Sequence, residues 1–123
     1  MNISDDVFFA GVIKNPFPYL SRADAFVVSS IYEGLSMVIV EALACGCPVV
    51  STDCPNGPAE ILENGKYGKL VPVANPAALA TAIEETLFRP PDKQKSAERA
   101  NYFHVDRAVD SYLELFKKLI RKN

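Results

Sequence analysis

Two glutamates, Glu33 and Glu41, stand eight positions apart around a short Gly34-Leu35-Ser36 loop and the apolar helix that the loop opens. Gly34 lets backbone come close to a ligand, because no Cβ stands in the way. Ser36 falls where a helix N-cap belongs, and the free N–H groups of a first helical turn favour an anion. A diphosphate is the natural guest of such a turn. Glu33 would repel phosphate if aimed at it, so it is better suited to accept hydrogen bonds from sugar hydroxyls. Glu41 lies about one and a half turns into the helix, at the reach of a ribose rather than a phosphate. Loop, helix end and two carboxylates suit a sugar–diphosphate–nucleoside.

Plainer readings stand beside this one. A Gly/Ser turn between strand and helix is common, and Glu33 also reads as a solvated loop residue. Glu41 lies in an otherwise apolar helix, where an unpaired buried carboxylate is costly; it is either paired structurally or faces a cleft. The three cysteines are Cys45, Cys47 and Cys54. Cys45 and Cys47 form C-x-C across a helix end, with no second Cys or His pair at zinc spacing. They read as small packing residues rather than metal ligands. His104, the single histidine, reads as a surface or capping residue. Lys14 and Lys66 read as solvated.

The elements that must position the loop alternate between strand and helix. Val7 to Val12 is an apolar run of strand length, Ala25 to Val28 a second, Pro48 to Thr52 a third and Gly68 to Pro72 a fourth. Asn15-Pro16 opens a short helix with Asn as N-cap, and Tyr19, Leu20 and Ala23 are expected in the core. Ala25 to Val28 is nearly all apolar, as a strand covered on both faces should be. Ser36 to Cys45 is a helix stopped by Gly46 and Pro48. Gly57 to Glu63 is a short helix, with Asn56 and Gly57 on turn and cap duty, and Asn64-Gly65 is a turn. Asn75-Pro76 opens a helix with Leu79, Ile83 and Leu87 in one stripe, ended by Pro90-Pro91. Asp92 to Tyr102 is a polar helix. Asp106 to Arg121 is amphipathic, with Val109, Tyr112, Leu113, Phe116 and Ile120 on its apolar side. This order predicts an α/β fold with a Rossmann-like, doubly wound parallel sheet. Such a sheet usually has about five or six strands, so residues 1–123 are expected to be a piece of one domain whose early strands are absent.

With 123 residues, 49% apolar and 23% charged, the chain suits one soluble globular domain. A net charge of −2 argues against a nucleic-acid partner, which would need clustered positive charge. No apolar run approaches the ~20 residues of a membrane span. The polar start, Asn2, Ser4, Asp5 and Asp6, does not read as a secretory signal. An odd cysteine count then points to reduced thiols and a cytoplasmic setting. Lys117, Lys118, Arg121 and Lys122 at the carboxyl end have two readings. They complement a helix dipole, or they make weak contact with an anionic membrane surface.

The segment Ser30-x-x-Glu33-Gly34-Leu35-Ser36-x(4)-Glu41-Ala42-Leu43-Ala44-Cys45-Gly46-Cys47-Pro48-Val49-Val50 resembles the carboxyl-terminal signature of GT-B retaining glycosyltransferases. These are the bacterial enzymes grouped with lipopolysaccharide and capsule transferases (glycosyl transferase group 1). Asn15 to Leu20 followed by Ala23 to Phe26, Asp53 to Leu62, and Asn64-Gly65-x-x-Gly68 add to the match. The resemblance covers roughly residues 7 to 120. It implies Glu33 as the catalytic-site glutamate that holds donor-sugar hydroxyls, and Glu41 as the one that binds the nucleotide ribose. Gly34, Leu35 and Ser36 would meet the diphosphate and sugar, and Gly11, Val12 and Ile13 would lie near the base; a plain turn accounts for Gly11 to Ile13 equally well. The implied donor is a nucleotide diphosphate sugar, a UDP-sugar first. The acceptor is a saccharide or glycolipid held by an amino-terminal domain, and no metal or cofactor is implied. The family's upstream Arg and Lys have no counterpart in Lys14 or Lys66, and His104 does not match its catalytic histidine. A donor-domain fragment inactive on its own is therefore expected. The alternatives are a non-catalytic nucleotide-sugar-binding remnant and one half of a split transferase.

Overall fold

The computed structural model describes residues 3–121. Lys122, of the basic cluster, and Met1 and Asn2, of the polar start, lie outside them. Three parallel strands form one open sheet in the order β1-β2-β3: β1 Phe26–Val28, β2 Val49–Thr52 and β3 Lys69–Val71. Phe26 pairs with Val49 and Val28 with Ser51, while Ser51 pairs with Leu70 and Thr52 with Val71. The centre strand β2 is buried throughout.

Period-two alternation divides the core in two. Val49, Val28, Phe26 and Leu70 face one side and pack with Ile39 and Leu43 of α2 (Met37–Ala44) and Ile61 of α3 (Pro58–Ile61). Leu20 of α1 (Phe17–Leu20) and Ala100 of α5 (Lys93–Asn101) join this layer, and α5 lies against α2. Val50 and Val71 face the other side, under Ala78, Leu79, Ala82 and Ile83 of α4 (Pro76–Phe88). Because α4 covers β2 and β3 but not β1, Val27 is left exposed on that face. The expectation that this strand is covered on both faces thus holds for one face only.

The caps of α4 and α5 and the stop of α2 follow from the sequence. The Asn75 side chain accepts from the Ala78 N–H at 3.0 Å, and Asp92 accepts from Gln94 N–H at 2.8 Å. Gly46, at φ +67°, ends α2: its N–H donates to Leu43 O, and Cys47 N–H donates to Ala42 O, a Schellman pair. Cys47 and Cys54 are buried and all three cysteines are free thiols, in keeping with packing duty. Burial, first of all, pushes the Cys47 thiol pKa up. Nδ1 of His104 accepts from the Asp106 N–H at the start of α6 (Val105–Ile120), a capping role.

Several expectations need correction. Val7 to Val12 is not a strand: Phe8, Phe9 and Val12 are about 90% exposed or more, and the sheet has three strands rather than four. The run has strand composition but no neighbouring strand to receive its hydrogen bonds. α1 starts at Phe17, one residue later than expected, with Pro16 at its N-cap and Asn15 Oδ1 accepting from Phe17 N–H. Tyr19 points to solvent while Leu20 is buried. Leu87 is also exposed; the buried stripe of α4 runs through Ala82 and Thr86. α6 forms as expected, yet it buries no residue, and its apolar side stands open.

Candidate donor site at the carboxyl ends of the strands

In open parallel sheets, ligands sit beyond the carboxyl ends of the strands. The chain leaves β1 at Val28 and reaches α2 at Met37 through that region. Thr52, the last residue of β2, ties the passage down. Its Oγ1 donates to the Ser30 carbonyl at 2.5 Å. The Ser30 hydroxyl in turn donates to Glu33 Oε1 at 2.6 Å. Glu33 is therefore no free loop side chain. Its half-buried carboxylate is held by a serine that the neighbouring strand anchors. A held carboxylate keeps its second oxygen available at a fixed place, which suits recognition of a hydroxyl.

Gly34 and Leu35 are exposed and Ser36 is buried to 2%. The Ser36 hydroxyl has no hydrogen-bond partner and makes no capping bond, although the residue occupies the N-cap of α2. Met37 and Val38, in the first turn of α2, are exposed, while Ile39, Val40, Ala42 and Leu43 of the same helix are buried. Glu41 is half-buried on α2 and has no ion pair or hydrogen bond to its side chain among the described residues.

Gly11, Val12 and Ile13 are placed differently. Gly11 has φ +65° and Val12 is fully exposed, on an extended segment that makes no hydrogen bond to the Glu33 loop among the described residues. The structure thus brings Glu33, Gly34, Leu35, Ser36 and Glu41 to one loop and helix, to which residues 11–13 are joined by no hydrogen bond among the described residues.

Three contributors were not assigned a part by the sequence. Ser30 and Thr52 orient Glu33; polar residues at the ends of apolar strands were the signal. The third is Gly57, whose role goes beyond capping. At φ +106° it caps α3, and a Cβ there would lie 2.6 Å from Gly34 O and 3.1 Å from Ser36 N. The loop rests directly on this glycine. Beside the loop opens a cleft lined by residues that include Leu35, Met37, Tyr102, Phe103, His104 and Arg107.

Comparison with known proteins fits this geometry. The family described as glycosyl transferases group 1 matches residues 1–88. A Campylobacter jejuni protein, N-acetylgalactosamine-N,N'-diacetylbacillosaminyl-diphospho-undecaprenol 4-alpha-N-acetylgalactosaminyltransferase, is 35% identical over 84% of this chain and 29% of its own length. The lipopolysaccharide core biosynthesis glycosyltransferase LpsE of Rhizobium meliloti is 34% identical over 94% of this chain and 35% of its own. Among solved structures, sucrose-phosphate synthase from Thermosynechococcus elongatus superposes with a TM-score of 0.72 at 30% identity, over 85% of this chain and 27% of that one. TarM superposes with a TM-score of 0.79 at 26% identity, over 93% of this chain and 25% of that one. The chain thus spans about a third or less of these relatives, and its open parallel sheet is the Rossmann-like sheet of a GT-B fold. The chain belongs to the glycosyl transferases group 1 family.

Proposed function

We propose that these residues are the partial carboxyl-terminal, donor-binding domain of a retaining glycosyltransferase that builds cell-surface polysaccharide or glycolipid. The observation that carries the reading is the pair of carboxylates around one loop: Glu33 held through Ser30, and Glu41 half-buried without a partner. In the reaction, the bond between the sugar and the diphosphate of a UDP-sugar breaks, and a bond to an acceptor hydroxyl oxygen forms. The acceptor proton is lost and the configuration is retained. Glu33 holds sugar hydroxyls, Gly34, Leu35 and Ser36 receive the diphosphate, and Glu41 accepts from the ribose. Residues 11–13 lie towards the base. The protein contributes positioning and stabilisation of the departing diphosphate.

The name of the Campylobacter jejuni relative carries a diphospho-undecaprenol-linked saccharide. We carry that acceptor class over as a saccharide or glycolipid, held by an amino-terminal domain of the kind that longer relatives have room for. Under this reading the protein works in the cytoplasm, at the inner membrane face. The exposed Lys117, Lys118 and Arg121 support a weak contact there. No helix of the described residues is long and apolar enough to cross a membrane.

Titration calorimetry with UDP tests the reading. Wild type binds, and Glu41→Ala loses about 10–100-fold in affinity, since a hydrogen bond to a charged group contributes ~1.5–3 kcal/mol. Equal affinity in both proteins removes Glu41 from the ribose role. A second reading of the same carboxylate pair is a nucleotide-sugar-binding remnant or one half of a split transferase, since the pair speaks for binding and not for turnover. Under either reading the 123-residue chain binds UDP without transferring sugar. Turnover at ordinary enzyme rates by this chain alone would exclude both.

A further inference from the structure

We infer that Arg99 is a positioning residue for the Glu33–Ser36 loop, acting through α3. The inference rests on the donor-site reading of that loop. Arg99 sits on α5, in a helix that otherwise reads as polar and solvated, yet only 8% of it is exposed. Its Nε donates to Ile61 O at 2.8 Å and a terminal nitrogen donates to Glu60 O at 2.6 Å. The other terminal nitrogen lies 3.0 Å from Glu63 Oε1. All three nitrogens of the guanidinium are thus engaged at the carboxyl end of α3. The rings of Tyr67, Tyr102 and Phe103 surround it, at 5.6, 4.7 and 5.0 Å from its central carbon.

α3 has only four residues, so it is a short strut with two ends. Arg99 holds one end. At the other, Gly57 touches the loop so closely that a Cβ would stand 2.6 Å from Gly34 O. The circuit closes through packing, because α5 lies against α2, whose first turn the loop opens, and α2 also touches α3. Loop, α2, α5, Arg99 and α3 form a ring in which the only side-chain polar clasp among the described residues is the guanidinium fork. Releasing the fork lets α3 shift along its axis, and the surface under Gly34 and Ser36 shifts with it. Lysine cannot replace the clasp, since one ammonium does not reproduce a planar fork of donors. Glu33 is held separately, through Ser30 and Thr52, so loss of the clasp loosens the Gly34–Ser36 part in particular.

The test compares wild type with Arg99→Lys in the full chain. Amide hydrogen exchange over residues 34–38 is expected to speed up roughly tenfold in R99K, while exchange in β2 and α4 changes little. UDP affinity is expected to fall by about the same factor at a temperature well below both unfolding midpoints, where a purely structural loss would leave it intact. Loop exchange equal to wild type, or a uniform rise across the chain, overturns the inference. If wild type does not bind UDP, the donor-site reading fails, while the exchange arm still decides the role of Arg99. If R99K does not fold, native-state exchange of the wild type in low denaturant decides instead. The Arg99 Nε–H, the Ile61 amide and the Ile39 amide should open as one unit. Separate opening of the arginine and the loop overturns the inference.

Discussion

At the scale of single residues, Ser36 and Glu41 share an unusual condition. Ser36 has a buried hydroxyl and Glu41 a half-buried side chain, each without a hydrogen-bond or ion-pair partner among the described residues. A buried unsatisfied hydroxyl costs about 1–3 kcal/mol. Replacing an N-cap serine by alanine ordinarily costs roughly 1 kcal/mol, but Ser36 makes no capping bond, so that loss is not available here. Ser36→Ala should therefore leave unfolding in urea unchanged or make the chain slightly more stable, while UDP affinity measured by calorimetry drops several-fold. A marked loss of stability with unchanged affinity would mean that the hydroxyl serves the fold and not a ligand. Glu33 differs from both, because Ser30 already occupies one of its oxygens.

At the scale of elements, the backbone contact between α3 and the loop sets the tolerance of position 57. Gly57→Ala adds a Cβ against a backbone carbonyl at φ +106°. Strain of this kind costs roughly 1–3 kcal/mol, visible as a lower urea midpoint at unchanged m. Relief by moving the loop should weaken UDP binding in the same variant. β2, α2 and α4 were legible in the sequence because composition, period and punctuation agree there: an apolar strand, a Gly46 stop, an Asn75-Pro76 start. Val7 to Val12 carried the same local signal, but a strand exists only where another strand receives its hydrogen bonds, and no local pattern records that. The stripe of α4 was legible at Leu79 and Ile83, which pack against Val50 and Val71, and failed only at Leu87. Ala82 and Thr86 are small, and close approach to the sheet favours them over the larger Leu87. The paired glutamates were legible from type and spacing. Their supports were not, since Thr52 reaches Ser30 across 22 positions and Arg99 reaches Ile61 across 38. A lone arginine in a polar helix gives no hint of such a partner.

At the scale of the whole molecule, the sheet is open along β1. Val27 and the apolar side chains of Phe8, Phe9 and Val12 lie exposed, and the apolar side of α6 adds Val109, Leu113 and Phe116. An unpaired strand edge beside apolar surface invites association. Sedimentation velocity should show concentration-dependent self-association of the purified chain, reduced by Val27→Lys. A monomer at every concentration would show that these surfaces are less adhesive than their composition suggests. The site itself begins in the passage from β1 to α2, and there the contact with Gly57 has a further consequence. The height of the loop is set by backbone resting on backbone, so it does not depend on which side chains the loop carries. Leu35, about half-exposed at the crest, belongs to neither core cluster. A change of side chain at position 35 thus alters what the crest touches while the platform beneath it stays in place.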